Sequence, residues 1–181
     1  SSDLPMVATA RLIKQEHPDA SVVFIGPCAS KKLEASRRTV RSDVDFVITF
    51  EELTGMFEAK GILLDEIKAM DEMKDATAAG RGYGVAGGVA NAIKECIEKY
   101  YPGTPVNIQH AESLAECKKA LLLAKAGKMN GCLIEGMACP GGCIAGAGTN
   151  IAIPVAARAV DKFKNEAEKK VPDESVDQER S

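Results

Sequence analysis

The sequence predicts an α/β protein in which parallel β-sheets are flanked by helices. Short runs of apolar and β-branched residues alternate along the chain with longer stretches whose apolar residues recur every three or four positions. The first pattern is typical of buried strands and the second of amphipathic helices. Strands that alternate with helices pair in parallel, because a parallel crossover needs an intervening segment of helical length.

Each element is predicted from its own pattern. Strands are expected at residues 20–26, 44–49, 105–110 and 131–136, and helices at 4–17, 49–61, 87–101 and 111–128. Thr49 is expected to cap its helix, with Glu52 completing a capping box three residues later. The polar, Ala/Gly-rich stretch 66–82 is expected to separate two layers or lobes. After Val155 the chain begins as a helix and becomes a charged tail.

Composition excludes several classes of function. The 181 residues suit one ordinary domain or two small lobes, and they carry a net charge of −3. Lysine and arginine are interspersed with acidic residues, which argues against a nucleic-acid partner. No apolar run approaches the roughly 18 residues of a membrane span. The chain begins with Ser-Ser-Asp and a helical pattern follows at once, so we expect it to be part of a longer polypeptide.

The six cysteines are too sparse for a disulfide scaffold in a chain of this size. No secretory signal opens the sequence, so a reducing cytoplasm is expected. In that compartment, clustered cysteines more often bind metal or carry out redox chemistry.

The first cysteine motif is "IGPCASKKLE", residues 25–34. A predicted strand runs into Gly-Pro and places Cys28 at its carboxyl end, where open α/β sheets bind ligands. Two lysines that follow, Lys31 and Lys32, are expected to lower the pKa of the Cys28 thiol and favour the thiolate. The alternative is a buried cysteine beside solvated lysines.

The second motif is "EGMACPGGCIAGAG", residues 135–148, in which Cys139 and Cys143 are four positions apart. On a helical turn both thiols would point the same way, and Pro140 suits the first turn of a helix. Glycines and alanines let backbone approach a bulky group closely. We therefore expect an inorganic group here, with pure packing as the alternative.

Other motifs carry weaker signals. The cysteine spacing, with only His17 and His110 elsewhere, does not form a recognisable zinc pattern. "GYGVAG" at residues 82–87 fits G-x-G-x-x-G, but no strand precedes it and Asn107 stands where a ribose-binding acid is expected. Close helix packing or approach to a cofactor is the preferred interpretation, with a nucleotide-dependent oxidoreductase as a further hypothesis. Three cysteines fall in predicted helices or strands and are expected to be core: Cys96, Cys117 and Cys132.

Taken together, these motifs resemble the FeFe-hydrogenase catalytic domain. "GPCASKKLE" and "EGMACPGGCIAGAG" are similar to the second and third signature motifs of that family, and "DVDFVITFEELTGMFEAKGI" and "GYGVAGGVANAI" are similar to the stretches between them. The resemblance implies the two-lobed iron-only hydrogenase fold, with residues 1–155 as an H-cluster domain truncated at its N-terminal side and 156–181 as a C-terminal helix and charged tail.

The resemblance also implies a site. The H-cluster is a 4Fe–4S cubane joined through a cysteine sulfur to a two-iron unit that carries CO and cyanide. Cys28, Cys139 and Cys143 would ligate the cubane, and Cys143 would also bridge to the two-iron unit. Lys31 would hydrogen-bond a cyanide, and Pro27 and Met137 would line the cofactor. Expected partners are the upstream part of the same polypeptide and an electron carrier such as ferredoxin.

The sequence departs from the family pattern in several places. The first signature motif, which in the family supplies the fourth cubane ligand and the proton-donating cysteine, is expected upstream of residue 1, so no catalytic residue is assigned within this chain. Gly26 stands where prototypes have Met, and "GAGTN" replaces Gly-Gly-Gly-Gln-Pro. These changes indicate a divergent, sensory or regulatory branch. The leading hypothesis is a hydrogenase fragment that is inactive by itself, and the alternative is an iron–sulfur binding or sensing module without hydrogenase activity.

Overall fold

A computed structural model describes residues 5–37, 43–68 and 76–172. These residues form two compact units. The first unit contains the described residues up to Lys68 together with Gly146–Asn150, and the second contains those from residue 76 to Ala145 and from Ile151 onward. The division falls within the polar stretch where the sequence predicts a separation.

The first unit is built around a two-stranded parallel sheet. Val23 lies opposite Phe46 and Ile25 opposite Ile48, so the predicted parallel pairing is confirmed, although both strands are shorter than expected. Its elements are α1 (Pro5–Glu16), β1 (Val23–Ile25), α2 (Ser30–Ser36), β2 (Phe46–Ile48) and α3 (Phe50–Ala59), followed by a 3-10 turn at Leu64–Glu66.

Within the part of the chain that the structure describes, α1 covers one face of this sheet. Val7 of α1 is fully buried, and Phe24 of β1 and Val47 of β2 pack against the cluster that contains it. On the other face Val23 is 44% exposed and Phe46 is 62% exposed. The expectation of buried strands is therefore met on the side of α1 and not at Val23 and Phe46.

The second unit holds the other parallel pair. Asn107 lies opposite Cys132 and Ala111 opposite Gly136. Its elements are α4 (Ala78–Arg81), a 3-10 turn (Gly82–Gly84), α5 (Gly88–Tyr100), β3 (Asn107–Ala111), α6 (Leu114–Lys125), β4 (Cys132–Gly136), a 3-10 turn (Cys143–Ala145) and α7 (Ile153–Asn165). The predicted boundary between residues 155 and 156 falls inside α7, and that division stays a prediction.

No helix within the described ranges is both long and apolar enough to span a bilayer.

The predicted capping box of α3 is confirmed. The amide of Glu52 donates to Thr49 Oγ1 over 3.2 Å, and the amide of Thr49 donates to Glu52 Oε2 over 2.8 Å. Lys32 Nζ also donates to Glu52 Oε1 over 2.6 Å. Hydrogen bonds from Lys32 first, and then from the Thr49 backbone, lower the pKa of Glu52 from 4.5 to about 2.

This lowered pKa predicts a pH-dependent contribution to stability. A carboxyl whose pKa is depressed by folding stabilises the protein above its ordinary pKa and loses that effect as the pH falls through the folded value. We therefore expect Glu52→Gln to lower the free energy of unfolding near neutral pH, and the difference from wild type to vanish as the pH falls from above 4.5 to about 2. Urea unfolding across this pH range measures it.

Glu51→Gln is the matched control, since Glu51 lies in the same helical turn but its side chain takes no part in the capping box. The control should show no such pH-dependent difference. Equal and parallel losses for both variants would contradict the prediction.

Candidate functional site

Cys28 lies just beyond the carboxyl end of β1, as predicted. The strand ends at Ile25, and the Gly26 amide still donates to the Ile48 carbonyl over 3.1 Å. The Pro27 carbonyl accepts from the Gly148 amide over 2.9 Å, which ties this corner to the returning chain within the same unit. The Cys28 thiol lies 3.0 Å from Ser30 Oγ and is half-buried.

The two lysines after Cys28 pair with different carboxylates. Lys31 Nζ donates to Glu34 Oε2 over 2.6 Å, and both side chains are largely buried, at 19% and 13% exposure. Lys32 instead reaches Glu52, and both side chains of that pair are exposed. The second oxygen of Glu34 is buried and has no hydrogen-bond partner among the residues that the structure describes. Lys31 is thus held by a carboxylate of its own helix, α2, whereas Lys32 reaches a carboxylate of α3.

Cys139 and Cys143 flank a turn. The Gly142 amide donates to the Cys139 carbonyl over 3.0 Å, and Cys143 opens a 3-10 turn. The expectation of a helix starting at Pro140 is wrong, because Gly141 and Gly142 have φ values of 94° and 92°. This left-handed region interrupts a right-handed helix and favours glycine.

The glycine between the two cysteines also has a packing role. A Cβ atom on Gly142 would lie 2.4 Å from the amide nitrogen of Ala86 and 2.8 Å from the Gly84 carbonyl oxygen. The Ala86 amide donates to the Gly141 carbonyl over 3.1 Å. The two glycine-rich segments therefore press backbone against backbone, which explains part of the small-residue pattern without an inorganic group.

Met137 leads from β4 into this turn. Its amide donates to the Ala111 carbonyl over 2.8 Å, which continues the ladder between the strands. The Cys117 thiol lies 3.8 Å from the Met137 carbonyl oxygen. Cys96, Cys117 and Cys132 lie in α5, α6 and β4 and are half-buried. None of the three is among the buried core residues, so the core role predicted for them holds only in part.

Sequence reasoning missed the principal polar residue of this unit, Glu135. Its carboxylate accepts from the amides of Gly87 (2.6 Å), Val89 (3.1 Å) and Ala90 (3.1 Å) at the start of α5. Its Oε2 also lies 3.1 Å from His110 Nδ1. A glutamate inside the predicted strand "GCLIEG" was the one available signal, because a buried carboxylate requires partners.

The contacts of Glu135 argue against the hypothesis that "GYGVAG" binds a dinucleotide. A dinucleotide would place its pyrophosphate on the free amides of the helix that follows the glycine-rich turn. Those amides are already bonded to a protein carboxylate. In addition, α4 rather than a strand precedes Gly82. The glycine that follows the motif, Gly88, packs closely against it: a Cβ on Gly88 would lie 2.0 Å from the Gly82 carbonyl oxygen.

The donor chemistry of the predicted ligands fits an iron–sulfur group. Cys28, Cys139 and Cys143 are half-buried and form no disulfide, and thiolate is the ligand that iron–sulfur clusters use. Cys28 belongs to the first unit, and the other two belong to the second. Across the described ranges, no three His, Cys, Asp or Glu side chains gather as a site for a single metal ion.

Comparison with protein families identifies the chain. The family "Iron only hydrogenase large subunit, C-terminal domain" matches residues 1–147, which is most of the sequence. The chain therefore belongs to this family, as its motifs predicted. A second similarity is to the cytosolic Fe-S cluster assembly factor NAR1 of Kluyveromyces lactis, which is 44% identical over 52 residues, or 29% of this chain and 11% of that protein.

Solved structures show the same fold. A variant of [FeFe]-hydrogenase HydA1 from Chlamydomonas reinhardtii aligns with a TM-score of 0.64 and 20% identity, covering 96% of this chain and 63% of its own. The structure of HydA(deltaEFG), described for stepwise H-cluster assembly, aligns with a TM-score of 0.59 and 21% identity over 91% of this chain and 60% of its own. This chain thus spans about three fifths of these hydrogenase chains.

The packing of Gly142 predicts a specific cost for adding a methyl group there. Gly142→Ala combines an unfavourable φ with a clash against the Ala86 backbone. Gly103→Ala is the matched control, since Gly103 has a φ of 87° and its Cβ would meet nothing within 4 Å. We expect Gly142→Ala to lower the free energy of unfolding by about 1–3 kcal/mol more than the control, the usual cost of overpacking.

Chemical denaturation of the two variants measures this difference. Equal destabilisation by Gly142→Ala and Gly103→Ala would show that the Gly84–Ala86 backbone can shift without cost, which would contradict the packing role of Gly142.

Proposed function

We propose that this chain forms part of an iron-only hydrogenase catalytic domain, whose whole protein interconverts protons, electrons and H2. Membership of the family supports this proposal. The observation that carries it is the set of three half-buried cysteines on the two motif loops, none of which forms a disulfide. When bound, the H-cluster would supply the redox chemistry, and the chain would supply ligands and a fixed cationic donor.

In this proposal each motif residue has a role. Cys28 and Cys139 would hold the 4Fe–4S cubane, and Cys143 would hold both the cubane and the two-iron unit. Pro27 and Met137 line the cofactor. Lys31 donates a hydrogen bond to a cyanide ligand, and its contact with Glu34 supports this role because it restricts the ammonium group to one region.

The partners follow from the ligand count. Three thiolates leave one cubane position without a cysteine from the motifs of this chain, so a further stretch of the same polypeptide supplies the fourth ligand and the proton-donating cysteine. Electrons reach the cluster from a carrier such as ferredoxin. The 181-residue chain by itself should therefore be inactive, and hydrogen evolution by the purified chain would overturn that expectation. The lack of disulfides among the described cysteines and the cytosolic NAR1 relative support a cytoplasmic location.

A second candidate function is an iron–sulfur binding or sensing module without the two-iron unit. The similarity to NAR1, named as an Fe-S cluster assembly factor, favours this candidate. Gly26 and "GAGTN" are the sequence departures that support it. Infrared spectroscopy of the whole protein separates the two functions, since bands of iron-bound CO and cyanide require the two-iron unit.

The ligand assignment predicts which cysteines hold iron. The chain is reconstituted anaerobically with iron and sulfide, with dithiothreitol present to offer the fourth thiolate. We expect Cys28→Ser, Cys139→Ser and Cys143→Ser each to lose most of the bound iron and the visible absorption, because a cluster is held by cysteine thiolates.

Cys96→Ser is the matched control, because Cys96 is also a free and half-buried thiol. It should bind as much iron as the unchanged chain. Equal iron in all four variants would show that the motif cysteines are not ligands.

A further inference from the structure

Glu135 is a charged residue placed inside a strand and almost completely buried. It is 8% exposed and lies opposite His110 in the register of β3 and β4. Oε2 receives the Gly87 amide and faces His110 Nδ1, and Oε1 receives the amides of Val89 and Ala90. Both carboxylate oxygens are thus used twice. A buried charge with this many partners is specific to one arrangement of its neighbours.

The partners of Glu135 are groups that need an anion. The first amides of a helix have no carbonyl partner within the helix, and the helix dipole favours negative charge there. The residue before α5, Gly87, has a φ of 82° and offers no capping side chain. Glu135, which lies on β4, therefore accepts hydrogen bonds from the first amides of α5, as the side chain of Thr49 does locally at the start of α3.

The same short segment before α5 touches the cysteine turn at a second point. On the N-terminal side of Cys139, the Glu135 carboxylate accepts a hydrogen bond from the Gly87 amide. On its C-terminal side, the Gly141 carbonyl accepts one from the Ala86 amide. The Gly141 amide in turn donates to Glu112 Oε2 over 3.1 Å. The segment from Gly84 to Gly87 consequently contacts the chain before the turn, at Glu135, and within the turn, at Gly141.

We propose that Glu135 is the positioning residue for Cys139 and Cys143. It fixes the end of β4 to the start of α5. The turn that follows β4 is thereby placed so that Gly141 and Gly142 meet the Gly84–Ala86 backbone. Its importance for cofactor chemistry rests on the proposed function, in which both cysteines are cluster ligands. The positioning itself needs no cofactor to be observed.

The test measures thiol reactivity without iron. Wild type, Glu135→Gln and Glu135→Asp are treated with iodoacetamide under native conditions, and the alkylation rate of each cysteine is followed by mass spectrometry. In Glu135→Gln one acceptor oxygen is replaced by an NH2 group, and that donor faces a backbone N–H donor without forming a hydrogen bond. We expect Cys139 and Cys143 to react at least about tenfold faster, the factor that corresponds to 1.4 kcal/mol. Cys28, Cys96 and Cys132 serve as internal references and should keep their rates.

Glu135→Asp keeps the charge and should restore part of the protection. Glu98→Gln is the matched control variant, since Glu98 is exposed on α5 and pairs with Lys94, and it should match wild type. A uniform rise at all cysteines in Glu135→Gln, or unchanged rates at Cys139 and Cys143, would overturn the proposal.

A milder change keeps the test decisive if Glu135→Gln does not fold. His110→Ala removes one of the four contacts of the carboxylate, and it should raise the same two rates by a smaller factor. An equal rise at the reference cysteines would again count against positioning.

Iron reconstitution of the same variants separates this proposal from the proposed function. One outcome is faster alkylation of Cys139 and Cys143 in Glu135→Gln together with equal iron binding by the unchanged chain and the three cysteine-to-serine variants. That outcome would support positioning and overturn the ligand assignment. Iron binding that depends on the three cysteines, with no selective exposure in Glu135→Gln, would do the reverse.

Discussion

The carboxylate of Glu135 is the interaction on which the second unit depends. Burying a charge costs several kcal/mol unless it is paired and hydrogen-bonded, and here the start of α5 and His110 supply the partners. The amides at the start of α5 would otherwise lack acceptors. Each side thus satisfies the other, and the pairing joins β4 to α5 without a covalent link. The turn that carries Cys139 and Cys143 begins directly after this junction, so its position follows from the pairing.

The first unit solves the same problem locally. Thr49 and Glu52 satisfy the start of α3 from adjacent positions in sequence, and the Gly148 carbonyl accepts from the Glu51 amide. Gly148 can approach this closely because it has no Cβ, whereas a Cβ at that position would lie 2.5 Å from Thr49 Cβ. The small residues after Cys143 therefore meet a packing requirement in this unit, just as Gly142 meets one in the other. The glycine-rich character of the motif reflects backbone contacts as well as any group bound beside it.

These two solutions explain what the sequence could and could not predict. The capping box was predictable because its residues are three positions apart, and the parallel strands were predictable because their patterns are local and alternate with helices. The role of Glu135 was not, because its partners at the start of α5 lie 45 to 48 positions away. The helix expected at Pro140 failed for a local reason, since two successive glycines in the left-handed region override the preference of proline for a helical first turn. The short helix α2 was missed because its seven residues are too few to show a period.

Backbone packing and cluster ligation make compatible demands on the same residues. Packing requires glycine at position 142, where a Cβ would meet the Ala86 amide, and ligation requires thiols on either side of that glycine. A turn with φ values near 90° at Gly141 and Gly142 meets the first demand and leaves the cysteines at its two ends. A relative that lost the two-iron unit would still need the glycines to fold this unit. The glycines alone therefore cannot distinguish a hydrogenase from an iron–sulfur module. Lys31 discriminates in part, because its proposed role as a donor to cyanide exists only where the two-iron unit is bound, whereas its pairing with Glu34 needs no cofactor.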